Sequence, residues 1–106
     1  MERMLRNDLV HLMRENVLWT LFALYKGKSY VHRISHDTYL SDGTIRDALK
    51  EAIKFKLVKK SIEVGPRGRK MEFYELTPAG KELTELGLAL VKEMQSRLDK
   101  IMGNDY

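Results

Sequence analysis

The chain has 106 residues, of which 43% are hydrophobic and 32% charged, and it contains no cysteine. This suffices for one domain with a modest core, excludes disulfides and cysteine metal sites, and leaves no apolar run for a membrane span or signal peptide. The net charge of +4 is uneven: +2 over residues 1–40 (six basic, four acidic), +5 over 41–70 (nine and four) and −3 over 71–106 (four and seven).

Residues 8–25 form the first predicted helix, with Leu9, Leu12, Met13, Val17, Leu21 and Leu24 recurring at spacings of three and four. Leu5, Val10, Leu18, Trp19 and Phe22 widen its apolar surface, so it is buried from more than one side. Gly27 ends it, between Lys26 and Lys28. Ser29 is the expected cap of a short helix at 30–36, followed by the connection Asp37-Thr38-Tyr39-Leu40. Ser41 caps a third helix reaching Phe55, with Asp42 at its positive end and Ile45, Ala48, Leu49, Ala52 and Ile53 on its apolar face.

From Leu57 the period becomes two. Val58, Lys60, Ile62 and Val64 fall on one parity, mostly apolar, and Lys59, Ser61 and Glu63 on the other. Gly65 to Lys70 reads as a turn, and Met71–Leu76 as the second strand of a β-hairpin. Thr77-Pro78 opens a long last helix. Its stripe of Leu83, Leu86, Leu90, Met94, Leu98 and Ile101 is longer than a domain this small can cover. No repeat or linker divides the chain. Residues 1–106 are expected to be a single domain, with a core over 8–76 and the long helix over 77–102. The fold class is α+β, mostly α: three helices, a hairpin and a long helix, the layout of a winged helix-turn-helix.

The stretch from Ile34 to Lys60, ISHDTYLSDGTIRDALKEAIKFKLVKK, resembles the helix-turn-helix of MarR-type and PadR-type regulators. In those families a Leu-Ser pair opens the recognition helix and a Thr-aliphatic pair follows; Leu40-Ser41 and Thr44-Ile45 stand there. Their glycine-leucine-valine exit into the wing is Lys56-Leu57-Val58 here, without the glycine. The join FYELTPAGKEL, Phe73 to Leu83, is also similar to theirs. The resemblance covers roughly residues 8–90 and implies that helix 41–55 enters the major groove of double-stranded DNA.

By periodicity the exposed positions of that helix are Asp42, Gly43, Thr44, Arg46, Asp47, Lys50 and Lys54. Arg46 suits a guanine O6/N7 pair, Thr44 a phosphate or a thymine methyl, and Ser41 a phosphate oxygen. Gly43 permits close approach of the backbone. Asp42 and Asp47 repel phosphates, which cuts against indiscriminate binding. The alternative for Arg46 and Lys50 is a solvated face with intrahelical pairs. Arg67, Arg69 and Lys70 crowd the hairpin tip, an arm for the minor groove or its phosphates; the alternative is a basic loop that touches nothing.

Leu86, Leu90, Met94, Leu98 and Ile101 are assigned to a homodimer interface, with residues 1–15 contributing. His32 and His36 are two ligands at most, short of a metal site, and neither a phosphate-binding nucleotide loop nor a nucleophilic triad is present. The expected function is sequence-specific binding of double-stranded DNA by a homodimeric transcriptional regulator, without enzymatic activity, cofactor or membrane contact, in the cytoplasm with the nucleoid. A small-molecule effector is left unassigned, since the chain has little room for a dedicated sensor. The competing readings are a sequence-tolerant architectural DNA-binding protein and a winged helix used for protein contact.

Overall fold

The computed structural model describes residues 14–103. Its elements run α1 (Glu15–Tyr25), α2 (Val31–Thr38), α3 (Asp42–Lys54), β1 (Val58–Val64), β2 (Lys70–Leu76) and α4 (Pro78–Gly103). Residues 8–13 of the expected first helix, and most of the segment 1–15 expected to contribute to the dimer, lie outside the described residues.

The spacing of apolar residues decides which faces meet. Val17, Leu21 and Leu24 of α1, Ile34 of α2, and Ile45, Ala48, Leu49 and Ala52 of α3 are buried together. Leu57, Val58 and Tyr74 close the same cluster from the hairpin side. Leu21, Ile34, Ile45 and Leu49 are almost fully buried, each contributing roughly 2 kcal/mol by transfer from water. The buried hydroxyls of Thr20 and Thr84 donate back to the carbonyls of Asn16 and Gly80, at 2.8 and 2.6 Å, so neither is an uncompensated polar group.

Helix ends are set by identifiable groups. Ser41 Oγ accepts from Thr44 N at 3.2 Å, the expected cap of α3. Thr77 Oγ1 accepts from Gly80 N at 3.0 Å and donates to Lys56 O at 2.7 Å, so the cap of α4 also ties it to the end of α3. At that end Lys56 adopts the left-handed region, with φ 60°. Lys56 N donates to Ile53 O and Leu57 N to Ala52 O, both at 2.9 Å. This is a Schellman ending with lysine where glycine is usual.

Two expectations are corrected, and the structure settles a third point that the pattern left open. First, Ser29 does not cap α2. The residue before that helix is Tyr30, and no side chain caps it. Ser29 instead bridges Tyr74 in both directions, Ser29 N to Tyr74 O at 2.9 Å and Tyr74 N to Ser29 O at 2.7 Å. The loop after α1 thereby adds a one-residue third strand beside β2. Second, α2 runs on to Thr38 and the turn is shorter, Tyr39 to Ser41. Tyr39 ends α2 in the left-handed region with φ 62°, its ring 96% exposed. The point left open is which parity of β1 is covered: the apolar one faces outward beyond Val58. Ile62 and Val64 are exposed, while Ser61 and Glu63 are half-buried. The antiparallel register places Ser61 opposite Phe73 and Glu63 opposite Met71. The hairpin therefore turns its polar-chain parity toward the loop that carries Lys28 and Tyr30.

Candidate nucleic-acid interface

Two elements and a turn position the candidate residues. On α3 the core takes Ile45, Ala48, Leu49 and Ala52, which leaves Gly43, Arg46, Asp47, Lys50 and Lys54 exposed on the opposite side. Asp42 and Thr44 are half-buried. Thr44 does not hold its hydroxyl free: Ser41 Oγ donates to Thr44 Oγ1 at 2.8 Å. On the hairpin, Gly65 N donates to Arg69 O at 2.7 Å, and Gly68 takes φ 77°. That tight turn holds Arg67, Arg69 and Lys70 outward, all exposed.

The loop before α2 joins these two groups. A cleft of about 560 Å³ lies between Tyr30 and His32 on one side and Pro66, Arg67, Arg69 and Lys70 on the other. Tyr30 is held by an edge-on contact with Phe73, ring centroids 5.8 Å apart. His32 Nδ1 lies 3.9 Å from Asp42 in the first turn of α3. The start of α2, the start of α3 and the hairpin tip therefore share one surface. Sequence reasoning placed Arg67, Arg69, Lys70 and Asp42 in the site and missed Tyr30 and His32, because no local pattern links the loop after α1 to the hairpin.

The charges here differ from those on β1 and on the loop after α1 that carries Lys28. Lys59 and Lys60 on β1 are paired with Glu75 and Glu72, both at 3.5 Å. Lys28 is paired with Glu63 at 2.7 Å and lies over the Phe73 ring, 5.7 Å from its centroid. By contrast, Arg46, Lys50, Lys54, Arg67, Arg69 and Lys70 have no ion-pair partner among the described residues. Unpaired cations along the exposed side of α3 and at the wing tip project positive potential into solvent. Tyr74 lies behind them. Burial, then its bond to Glu72 at 3.0 Å, raises the phenol pKa above the usual 10.0, and the Arg46 charge works the other way.

Solved structures share this fold. ZitR of Lactococcus lactis, in a mutant form, matches at a TM-score of 0.76 and 18% identity over 89% of this chain, which spans only 62% of ZitR. A PadR family transcription regulator from Clostridium difficile matches at 0.73 with 21% identity, over 84% of this chain and 99% of that one. A PadR-like transcriptional regulator from Bacillus cereus matches at 0.74 with 20% identity, over 94% and 96%. The fold is a winged helix-turn-helix. At these identities the likeness is one of fold; no family model and no curated protein matches the sequence. In its terms α2 and α3 are the helix-turn-helix and the hairpin is the wing.

The fourth helix of this winged helix buries only Gly80 and Thr84. From Ala89 to Gly103 every residue is exposed. Leu86, Leu90, Met94, Leu98 and Ile101, the residues assigned to dimerisation, form an uncovered apolar stripe, and Val91 and Met102 extend it. Sequence reasoning passed over those two because they stand beside the main stripe. On α1, Trp19 is 48% exposed and meets Phe22 edge-on at 6.1 Å. Among the described residues no helix is long and apolar enough to cross a membrane.

Proposed function

We propose that this winged helix is a transcriptional regulator that binds double-stranded DNA as a homodimer. α3 enters the major groove and the wing tip lies against the minor groove or its flanking phosphates. One observation carries the reading: six cations on α3 and the wing tip lack ion-pair partners among the described residues, while Lys59 and Lys60 on β1 are paired with glutamates. Cations concentrated on one helix face and one turn give that face a positive potential that suits a polyanion.

Within the site, Arg46 reads guanine O6 and N7. Lys50, Lys54, Arg67, Arg69 and Lys70 hold phosphates and set the register. Gly43 has open space around its Cα, which lets the helix backbone approach the duplex. Asp42 and Asp47 disfavour wrong sequences by repelling phosphates and accepting only from a donor such as cytosine N4. Ser41, with Thr44, organises the first turn of α3 and presents it to a phosphate.

The stripe on α4 pairs with its twin in a second chain. The acidic excess of residues 71–106 keeps that helix away from DNA. A two-fold axis through it presents two α3 helices to half-sites about 34 Å apart. The test is footprinting on the region upstream of the protein's own gene. Two protected half-sites one helical turn apart support the reading. Uniform protection without a boundary supports an architectural coater, and no protection supports a winged helix used for protein contact.

A further inference from the structure

A second cleft lies behind the helix-turn-helix, at the corner between α1 and α2. It measures about 180 Å³ and is lined by Lys26, Gly27, Lys28, Ser29, Arg33 and Asp37. Ser29 is 6% exposed, and its hydroxyl is buried with no hydrogen-bond partner among the described residues. A buried hydroxyl without a partner carries a desolvation cost that an occupant would remove. Lys28 is engaged by Glu63, but Lys26 and Arg33 have no ion-pair partner among the described residues. The wall thus offers two uncompensated cations, an orphaned hydroxyl and one exposed carboxylate, Asp37, which lies 3.8 Å from His36 Nδ1.

We propose that this cleft is a binding site for a protonated oxyanion, a hydrogen phosphate group. Lys26 and Arg33 neutralise its charge, and Arg33 offers its fork to two of the oxygens. The Ser29 hydroxyl donates to a third. Asp37 only accepts when ionised, so it excludes an anion with no proton to give and receives the P–OH of one that has it. The cleft therefore discriminates phosphate from sulfate, which has the same shape and no proton at neutral pH. An occupant would brace the loop whose Ser29 backbone is bonded to Tyr74 at the base of the wing. The inference stands apart from the DNA-binding reading, because the cleft and its unpaired groups exist without it.

The test is an amide NMR titration of the full chain with sodium phosphate and, separately, sodium sulfate at constant ionic strength. Expected are saturable shifts at Gly27, Ser29 and Arg33 with phosphate, with a Kd on the order of 1 mM, and sulfate at least about ten-fold weaker. Arg33→Gln should weaken phosphate about ten-fold, one hydrogen-bonded charge pair's worth. Asp37→Asn should let sulfate bind as well as phosphate. Both positions are surface-accessible, so both variants should keep the wild-type spectrum elsewhere. Shifts that never saturate, that spread equally over the wing tip, or that do not distinguish the two anions would overturn the proposal. Adding a duplex separates the sources: retention of the phosphate shifts assigns the site to free phosphate, and their loss assigns it to a backbone phosphate of DNA.

Discussion

Gly80 and Leu57 meet backbone to backbone: a Cβ at position 80 would stand 1.9 Å from the Leu57 carbonyl oxygen. The same carbonyl accepts from Thr77 N at 2.9 Å. The glycine therefore sets how closely α4 docks onto the corner between α3 and the wing. Gly80→Ala forces a backbone to move, and the expected loss is at least about 2 kcal/mol in urea unfolding. A loss under about 0.5 kcal/mol would show that the α4 junction is free to shift.

Lys56 holds a left-handed conformation at φ 60°, which costs a residue with a Cβ about 1–2 kcal/mol. Lys56→Gly should raise stability by about 1 kcal/mol, part of the relief being offset by the greater freedom of glycine in the unfolded chain. Lys56→Ala keeps the Cβ and removes the charge, so it should leave the urea midpoint nearly unchanged. Equal effects from both variants would place the cause in the lysine charge and not in the backbone.

Lys28 and Glu63 tie the loop after α1 to the wing, and their titration gives that tie a pH window. The Lys28 hydrogen bond, then that from Ser61, lowers the Glu63 pKa below 4.5. Its contribution is present above that value and is lost as pH falls through the lower folded one. The Glu63 hydrogen bond raises the Lys28 pKa above 10.5, so its contribution is complete below that value and fades as pH rises past the folded one. Tyr74, raised above 10.0 chiefly by burial, adds to the alkaline loss. Stability followed by circular dichroism should be flat across neutral pH and fall at both extremes. Glu63→Gln should shrink the acid limb, because it removes the titrating carboxylate, and only by a small amount, because the pair is surface-exposed and screened by salt. An acid limb unchanged in that variant would assign it to other carboxylates.

The uncovered stripe of α4 should make the oligomer sensitive to charge. Leu90→Glu with Leu98→Glu is expected to weaken dimerisation by at least about 100-fold, about 2.7 kcal/mol, in sedimentation equilibrium. Because both side chains are already exposed in one chain, its own unfolding midpoint should barely change. A wild type that sediments as a monomer would remove the two-fold axis from the reading.

The sequence pattern reached some features and not others for physical reasons. Ile45, Ala48, Leu49 and Ala52 follow the helix period, and Ser41 is a cap by its own chemistry, so α3 and its exposed cations were legible. The expected bases Arg46, Lys50, Arg67, Arg69 and Lys70 all stand exposed. Alternation in β1 fixes two parities but not which one is covered. The wing extends past the helices, so Ile62 and Val64 face outward. Ser29 joins the sheet through a single residue, which leaves no period to read. Its hydroxyl made it look like a cap. Lys56 hides a left-handed helix end because that signature is usually a glycine. Tyr30 and His32 reach the wing tip only through tertiary packing.

The most direct test of DNA binding by α3 and the wing is fluorescence anisotropy with two duplexes, one carrying the upstream region of the protein's own gene and one scrambled, across a salt series. Wild type should prefer the upstream duplex by at least about 10³-fold. Arg46→Ala should abolish that preference, while Arg67→Ala/Arg69→Ala should weaken both duplexes alike and reduce the salt slope by about 2. Binding that is equal on both duplexes, or a preference that survives Arg46→Ala, would contradict sequence readout by α3. The absence of binding to either at about 50 mM salt, where phosphate contacts are strong, would contradict DNA as the partner of this surface.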